Sequence, residues 1–175
     1  MYTETLILSG ERFIGTLDME VLKLIQEDLL KIYKRVTIPD IFIKISEKNM
    51  DAICSLVLQS ISKQMNISQD YIADLFIGES DEKVRTDNYI NLYKYVGNLL
   101  EKCMPKDTKQ QEESEFVDIP IYKTEDWDLA YMQFLWETTM DKKTLFWNVT
   151  PKNFFEQINV FKEVNEIEDE EVEWL

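Results

Sequence analysis

The sequence predicts a mainly α fold of the α+β type: an N-terminal β-hairpin packed on a helical bundle, followed by a small C-terminal helical unit. Three observations carry this. Two short apolar runs flank Ser9-Gly10 near the start, the pattern of a hairpin closed by two turn residues. Apolar residues then recur every three or four positions through most of 18–104, which is the helical period. After a polar stretch, aromatic residues crowd into two short helical patterns around Thr150-Pro151, a residue pair suited to starting a helix.

Thr3 to Leu8 and Glu11 to Leu17 read as the two strands, with Leu6 and Leu8 on one face and Phe13, Gly15 and Leu17 on another. A lone hairpin is marginal in water, so it must pack on helices. Asp18 is placed to cap a helix running to about Lys34, whose buried stripe is Val21, Leu22, Ile25, Leu29, Ile32 and Tyr33. Pro39 ends that segment. Ile41, Phe42, Ile43 and Ile45 form a short apolar run that fits a helical turn or a strand equally well. From Ser46 onward Met50, Ile53, Cys54, Val57, Leu58, Ile61 and Met65 mark a long central helix. Ser68 opens a shorter helix carrying Ile72, Leu75 and Phe76, and Gly78 stands where a left-handed residue would close it. A last long helix of the bundle, Glu82 to Met104, is expected to bury Tyr89, Leu92, Tyr93, Val96, Leu99, Leu100 and Cys103.

Pro105 to Asp118, PKDTKQQEESEFVD, has no apolar period and reads as a linker. The layout is therefore a bundle over 1–104, a linker over 105–118, an aromatic unit over 119–162 and an acidic tail over 163–175. Within the aromatic unit a helix from about Trp127 to Met140 carries Trp127, Ala130, Tyr131, Phe134 and Leu135 at helical spacing. The next helix is capped by Thr150, takes Pro151 at its first position, and lets Val149 staple onto Phe154. Phe154, Ile158 and Phe161 line its buried face.

Composition narrows the function. With 175 residues, 45% of them hydrophobic, the chain has enough apolar surface for a core. Lys and Arg number 19 against 34 Asp and Glu, a net charge of -15 that repels phosphate backbones and argues against nucleic acid as a partner. No apolar run approaches the roughly 18 residues of a membrane span, and MYTETLILSGERF has no basic leader, so a cytoplasmic location without membrane partners is expected. Cys54 and Cys103 both fall on apolar helix faces and read as buried, reduced thiols.

Chemistry is sparse. The chain has no histidine, which removes Ser-His and Cys-His nucleophile pairs and the commonest zinc ligand. Four glycines provide no phosphate-binding loop, and no oxygen-rich run follows the calcium-loop spacing. The pairs Asp126 with Asp128 and Glu168 to Glu171 read as helix-start charges and solvated tail. No catalytic residue, cofactor or metal is expected, and the function falls in the binding class.

The segment Asp126 to Phe161 combines a helix entered through Asp126-Trp127-Asp128, a break at Lys142-Lys143, the run Leu145 to Pro151 and a closing helix with Phe154-Phe155. It resembles the C-terminal part of the tail assembly chaperones of long-tailed bacteriophages and prophages. The resemblance covers a minority of the chain. It implies a bundle that binds and solubilises the tape-measure protein, with possible self-association into repeated copies, and a C-terminal unit that recruits tail-tube protein. It also implies action in the host cytoplasm, absence from the finished virion, and either the long form of the family, which arises by frameshift, or a permanently fused equivalent. The residues expected to contact a partner are Trp127, Tyr131, Phe134, Trp136, Phe146, Trp147 and Phe155, with Trp147 and Phe155 the two most suited to the core instead. The alternative, motivated by net charge alone, is an acidic DNA mimic that inhibits a host nuclease or regulator. A third possibility is a structural component that stays in the tail.

Overall fold

A computed structural model describes residues 2–105 and 126–165. The predicted fold class is what it contains: an antiparallel two-stranded hairpin followed by helices. Strands β1 (Glu4–Leu8) and β2 (Glu11–Gly15) are joined by Ser9 at φ 48° and Gly10 at φ 84°. Two successive positive φ values are the geometry that matches the twist of a tight hairpin. Leu6 lies opposite Phe13 and Glu4 opposite Gly15. Directly opposed residues point to the same side of a sheet, so Leu6, Leu8, Phe13 and Gly15 share one buried face, contrary to the two faces expected.

Helix α1 (Met19–Leu30) starts where Asp18 accepts the Val21 amide at 3.0 Å. It stops four residues earlier than expected. The chain turns at Lys31 and Ile32, leaving Ile32 62% exposed, while the Tyr33 hydroxyl donates to Asp51 at 2.8 Å and accepts from Asn49 at 3.0 Å. Asn49 and Asp51 lie at the start of the helix after next, so these bonds tie the end of α1 to that start. Helix α2 (Ile38–Ser46) settles the ambiguous apolar run: Thr37 and Asp40 form a reciprocal capping box, and Ile38, Ile41, Phe42 and Ile45 are buried at helical spacing.

Helix α3 (Met50–Met65) is capped by Asn49 and buries Ala52, Ile53, Leu56, Val57, Ser60 and Ile61. Its inward face is turned from the one expected, so Met50, Cys54 and Met65 are exposed. Cys103 is buried, and burial pushes its thiol up to about 11. Helix α4 (Gln69–Ile77) begins at Ser68, but Gly78 has φ -76° and is not left-handed; it simply continues the turn by donating to the Asp74 carbonyl at 2.7 Å.

Helix α5 (Glu82–Cys103) lies beside β1. Ser9 N–H donates to Asn88 Oδ1 at 2.8 Å, Asn91 donates to the Ile7 carbonyl at 3.1 Å, and Lys102 reaches the Thr3 carbonyl at 3.3 Å and the Glu4 carboxylate. A polar stripe of the helix thereby satisfies groups along a strand edge that would otherwise invite pairing with another chain. With that stripe on the strand, Tyr95 turns inward at 1% exposure. Tyr89 and Tyr93, expected in the core, stay 43% and 42% exposed.

The C-terminal part comprises α6 (Leu129–Phe134), a π-helical turn (Leu135–Thr139), a 3-10 turn (Phe146–Asn148) and α7 (Pro151–Val164). It does not stand apart, because its buried residues Met132, Trp136, Phe146, Phe154 and Ile158 join one apolar cluster with the hairpin and α1 to α5. The expected linker beyond Pro105 lies outside the described residues, as does the tail beyond Asn165. Among the described residues no helix is long and apolar enough to cross a membrane.

Candidate binding surface of the aromatic unit

Two polar clasps and a chain of rings fix this unit on the bundle. At its entry the Asp126 carboxylate accepts the Ile38 amide at 2.8 Å and Gln26 Nε2 at 2.6 Å. Ile38 opens α2, so a residue 88 positions away supplies a second acceptor at a helix start that Thr37 already caps. At the other side Met19 N–H donates to the Val149 carbonyl at 3.0 Å. Lys63 bridges Asp18 at 2.7 Å, Glu20 at 2.6 Å and the Trp147 carbonyl at 3.2 Å. Burial raises the Asp18 carboxyl above its ordinary value, even though Lys63 and the Val21 amide pull the other way. Lys63 is thus the cation that makes a buried acid tolerable at the seam.

The rings run in contact. Trp127 sits between Phe42 (centroids 6.2 Å) and Phe155 (5.4 Å), Phe155 meets Phe154 at 5.4 Å, and Phe154 meets Trp136 at 6.1 Å and Phe146 at 5.7 Å. Phe146 in turn meets Trp147 at 5.1 Å, and the Lys23 ammonium lies 5.2 Å over the Trp147 ring. Most of these pairs are edge-to-face, the arrangement that the ring quadrupole favours. The Trp136 indole N–H donates to the Thr144 carbonyl at 2.6 Å, which closes the loop between the π turn and the 3-10 turn.

The seven aromatic residues singled out in the sequence separate by burial. Trp136 and Phe146 are 3% and 0% exposed and have no surface to offer a partner. Trp127, Trp147 and Phe155 are half-buried. Tyr131 and Phe134 are 46% and 54% exposed and stand three residues apart on α6, on one side of the helix. The helix begins at Leu129, with Asp128 as its cap, and widens into the π turn where Met140 N–H reaches the Leu135 carbonyl. Met132 and Trp136 are carried inward, and the expected stripe of Ala130, Tyr131 and Phe134 is left outside. Leu145, 64% exposed, was missed because it stands alone between turns with no periodic neighbour. Among the described residues no group of three or more Cys, Asp or Glu side chains is arranged to hold a metal ion.

Comparison with protein-family models, curated proteins and solved structures finds no match.

Proposed function

We propose that the protein is a phage or prophage tail assembly chaperone that acts by binding in the host cytoplasm, without catalysis. The N-terminal bundle coats the tape-measure protein, a long helical client with apolar stripes. The aromatic unit recruits tail-tube protein. The observation that carries this reading is the pair Tyr131 and Phe134, exposed on a unit that is tied to the bundle by the Trp127–Phe42 ring contact and by the Asp126 and Lys63 clasps. Large apolar side chains presented by an anchored helix are suited to a partner's groove, and the surplus of carboxylates keeps a complex with an apolar client in solution.

Co-expression with a phage tape-measure protein, followed by pull-down at low and high salt, tests the reading. The tape measure is expected to become soluble and to be retained at both salt concentrations, since apolar contacts are not screened. An insoluble, unretained tape measure contradicts the proposal. Retention of a DNA-binding enzyme that is lost steeply as salt rises would favour the acidic mimic instead.

A further inference from the structure

Residues 89, 93, 96 and 100 of α5 follow one another at four, three and four positions, so they form a single stripe along the helix. Its C-terminal half is covered, with Val96 and Leu100 at 4% and 6% exposure. Its N-terminal half, Tyr89 and Tyr93, is not. The Tyr89 ring meets Phe76 of α4 edge-on at 5.4 Å, and the next residue, Ile77, is 83% exposed. On the other side the Tyr93 hydroxyl lies 3.7 Å from Met50 Sδ at the start of α3, and Met50 is 39% exposed. Phe76, Tyr89, Tyr93 and Met50 therefore make one apolar track from α4, across α5, to α3, with the exposed Ile77 beside its α4 end. Scattered surface hydrophobics need no explanation, but a touching run drawn from three helices does.

The flank of this track is acidic. Residues 69–94 contain six Asp and Glu against three Lys and Arg. A shallow hollow lined by Asp81, Glu82, Lys83, Thr86 and Asp87 continues the track toward the start of α5, because positions 82 and 86 precede 89 and 93 on the same stripe. We infer that this face binds an amphipathic helix whose apolar side is bordered by Lys or Arg. The apolar side lies along the Tyr89 and Tyr93 rings, and the basic border meets the carboxylates of the hollow, a helix-in-groove contact with charge complementarity. Such a partner need not be a tape measure.

Two labelled peptides test it on the full chain by fluorescence anisotropy: one with a leucine face bordered by Lys and Arg, the other with the same leucine face bordered by Glu. The basic peptide is expected to bind, and the acidic one to bind at least about tenfold more weakly. Tyr89→Ser combined with Tyr93→Ser is expected to weaken the basic peptide by at least about tenfold, as loss of two central aromatic contacts does. Ile77→Ser, at a position too exposed to affect folding, is expected to weaken it by about threefold or more, while the Ile32→Ser control binds as the wild type does. Equal binding of both peptides, or unchanged binding to the Tyr89/Tyr93 and Ile77 variants, overturns the inference. So does a concentration-dependent dimer in sedimentation that the same variants abolish, which would give the face to a second copy of the chain.

Discussion

Gly15 ends β2 with its α-carbon against the Tyr95 hydroxyl. A β-carbon built there would lie 1.9 Å from that oxygen and 3.1 Å from the Ser60 backbone carbon. The Tyr95 hydroxyl is itself held by Ser60 Oγ at 2.7 Å in a buried site, and its burial raises the phenol well above the ordinary range. Gly15→Ala should therefore cost about 2–3 kcal/mol as an overpacked core, and Tyr95→Phe about 1 kcal/mol for the lost hydrogen bond. Denaturant unfolding of the double variant should give less than the sum, because Phe removes the atom that the new methyl meets. Strict additivity would place the clash elsewhere. Asp28 is a second residue-scale test. Burial works against its ionisation, but donors from Lys31 (2.7 Å), Gln59 (2.5 Å) and Ser55 (3.0 Å) hold its carboxyl below the usual value. With the folded value below the unfolded one near 3.9, its contribution is complete above that pH and is lost as pH falls through the lowered folded value. Asp28→Asn should cost about 1 kcal/mol at neutral pH, at the low end because water screens part of the site. The gap to wild type should close in acid; a gap independent of pH would mean that the charge is not what Gln59 and Ser55 recognise.

At the scale of elements, the helix N-caps and the inward faces of α1 and α7 were legible in the sequence, while the Gly78 cap and the inward faces of α3, α5 and α6 were not. Asp18, Ser68 and Thr150 cap the helices they were expected to cap, and the Ser9-Gly10 turn closes the hairpin, because each depends on a side chain acting on its own neighbours. Which side of α3, α5 or α6 turns inward is decided by long-range partners. Tyr95 replaces Tyr89 and Tyr93 because Asn88, Asn91 and Lys102 must face β1. The π turn redirects Trp136 at a place where a uniform 3.6-residue period gives no warning. The same limit divided the candidate site, since a 3.6-residue period puts Trp136 about 140° around the helix from Tyr131 but cannot say which of the two is covered. Two substitutions check the outcome. Trp136→Ala should destabilise the protein by about 3–5 kcal/mol, the cost of deleting a buried indole; a change of a few tenths would return Trp136 to the surface. Asp126→Ala should remove about 1 kcal/mol of helix capping from α2 and speed hydrogen exchange at the Ile38 amide selectively. Unchanged protection at Ile38 would mean that Asp126 does not clasp the bundle.

Across the whole molecule, one core extends from Leu6 and Phe13 in the hairpin to Phe154 and Ile158 in α7, so the aromatic unit is held by the bundle. The seam is sealed by Lys63 between Asp18 and Trp147, and by Asp126 at α2. This rigid attachment gives the proposed chaperone two separate faces on one body: the bundle for a helical client, and Tyr131 with Phe134 for a second protein. The most direct measurement is a pull-down from cells that make this protein, a tape-measure protein and the tail-tube protein together, comparing wild type with the Tyr131→Ser/Phe134→Ser variant. Both residues are about half exposed, so the variant should fold as the wild type does. The account predicts that both forms retain the tape measure and that only wild type retains the tube protein. Tube protein absent from the wild-type complex, or held equally by the variant, would contradict it.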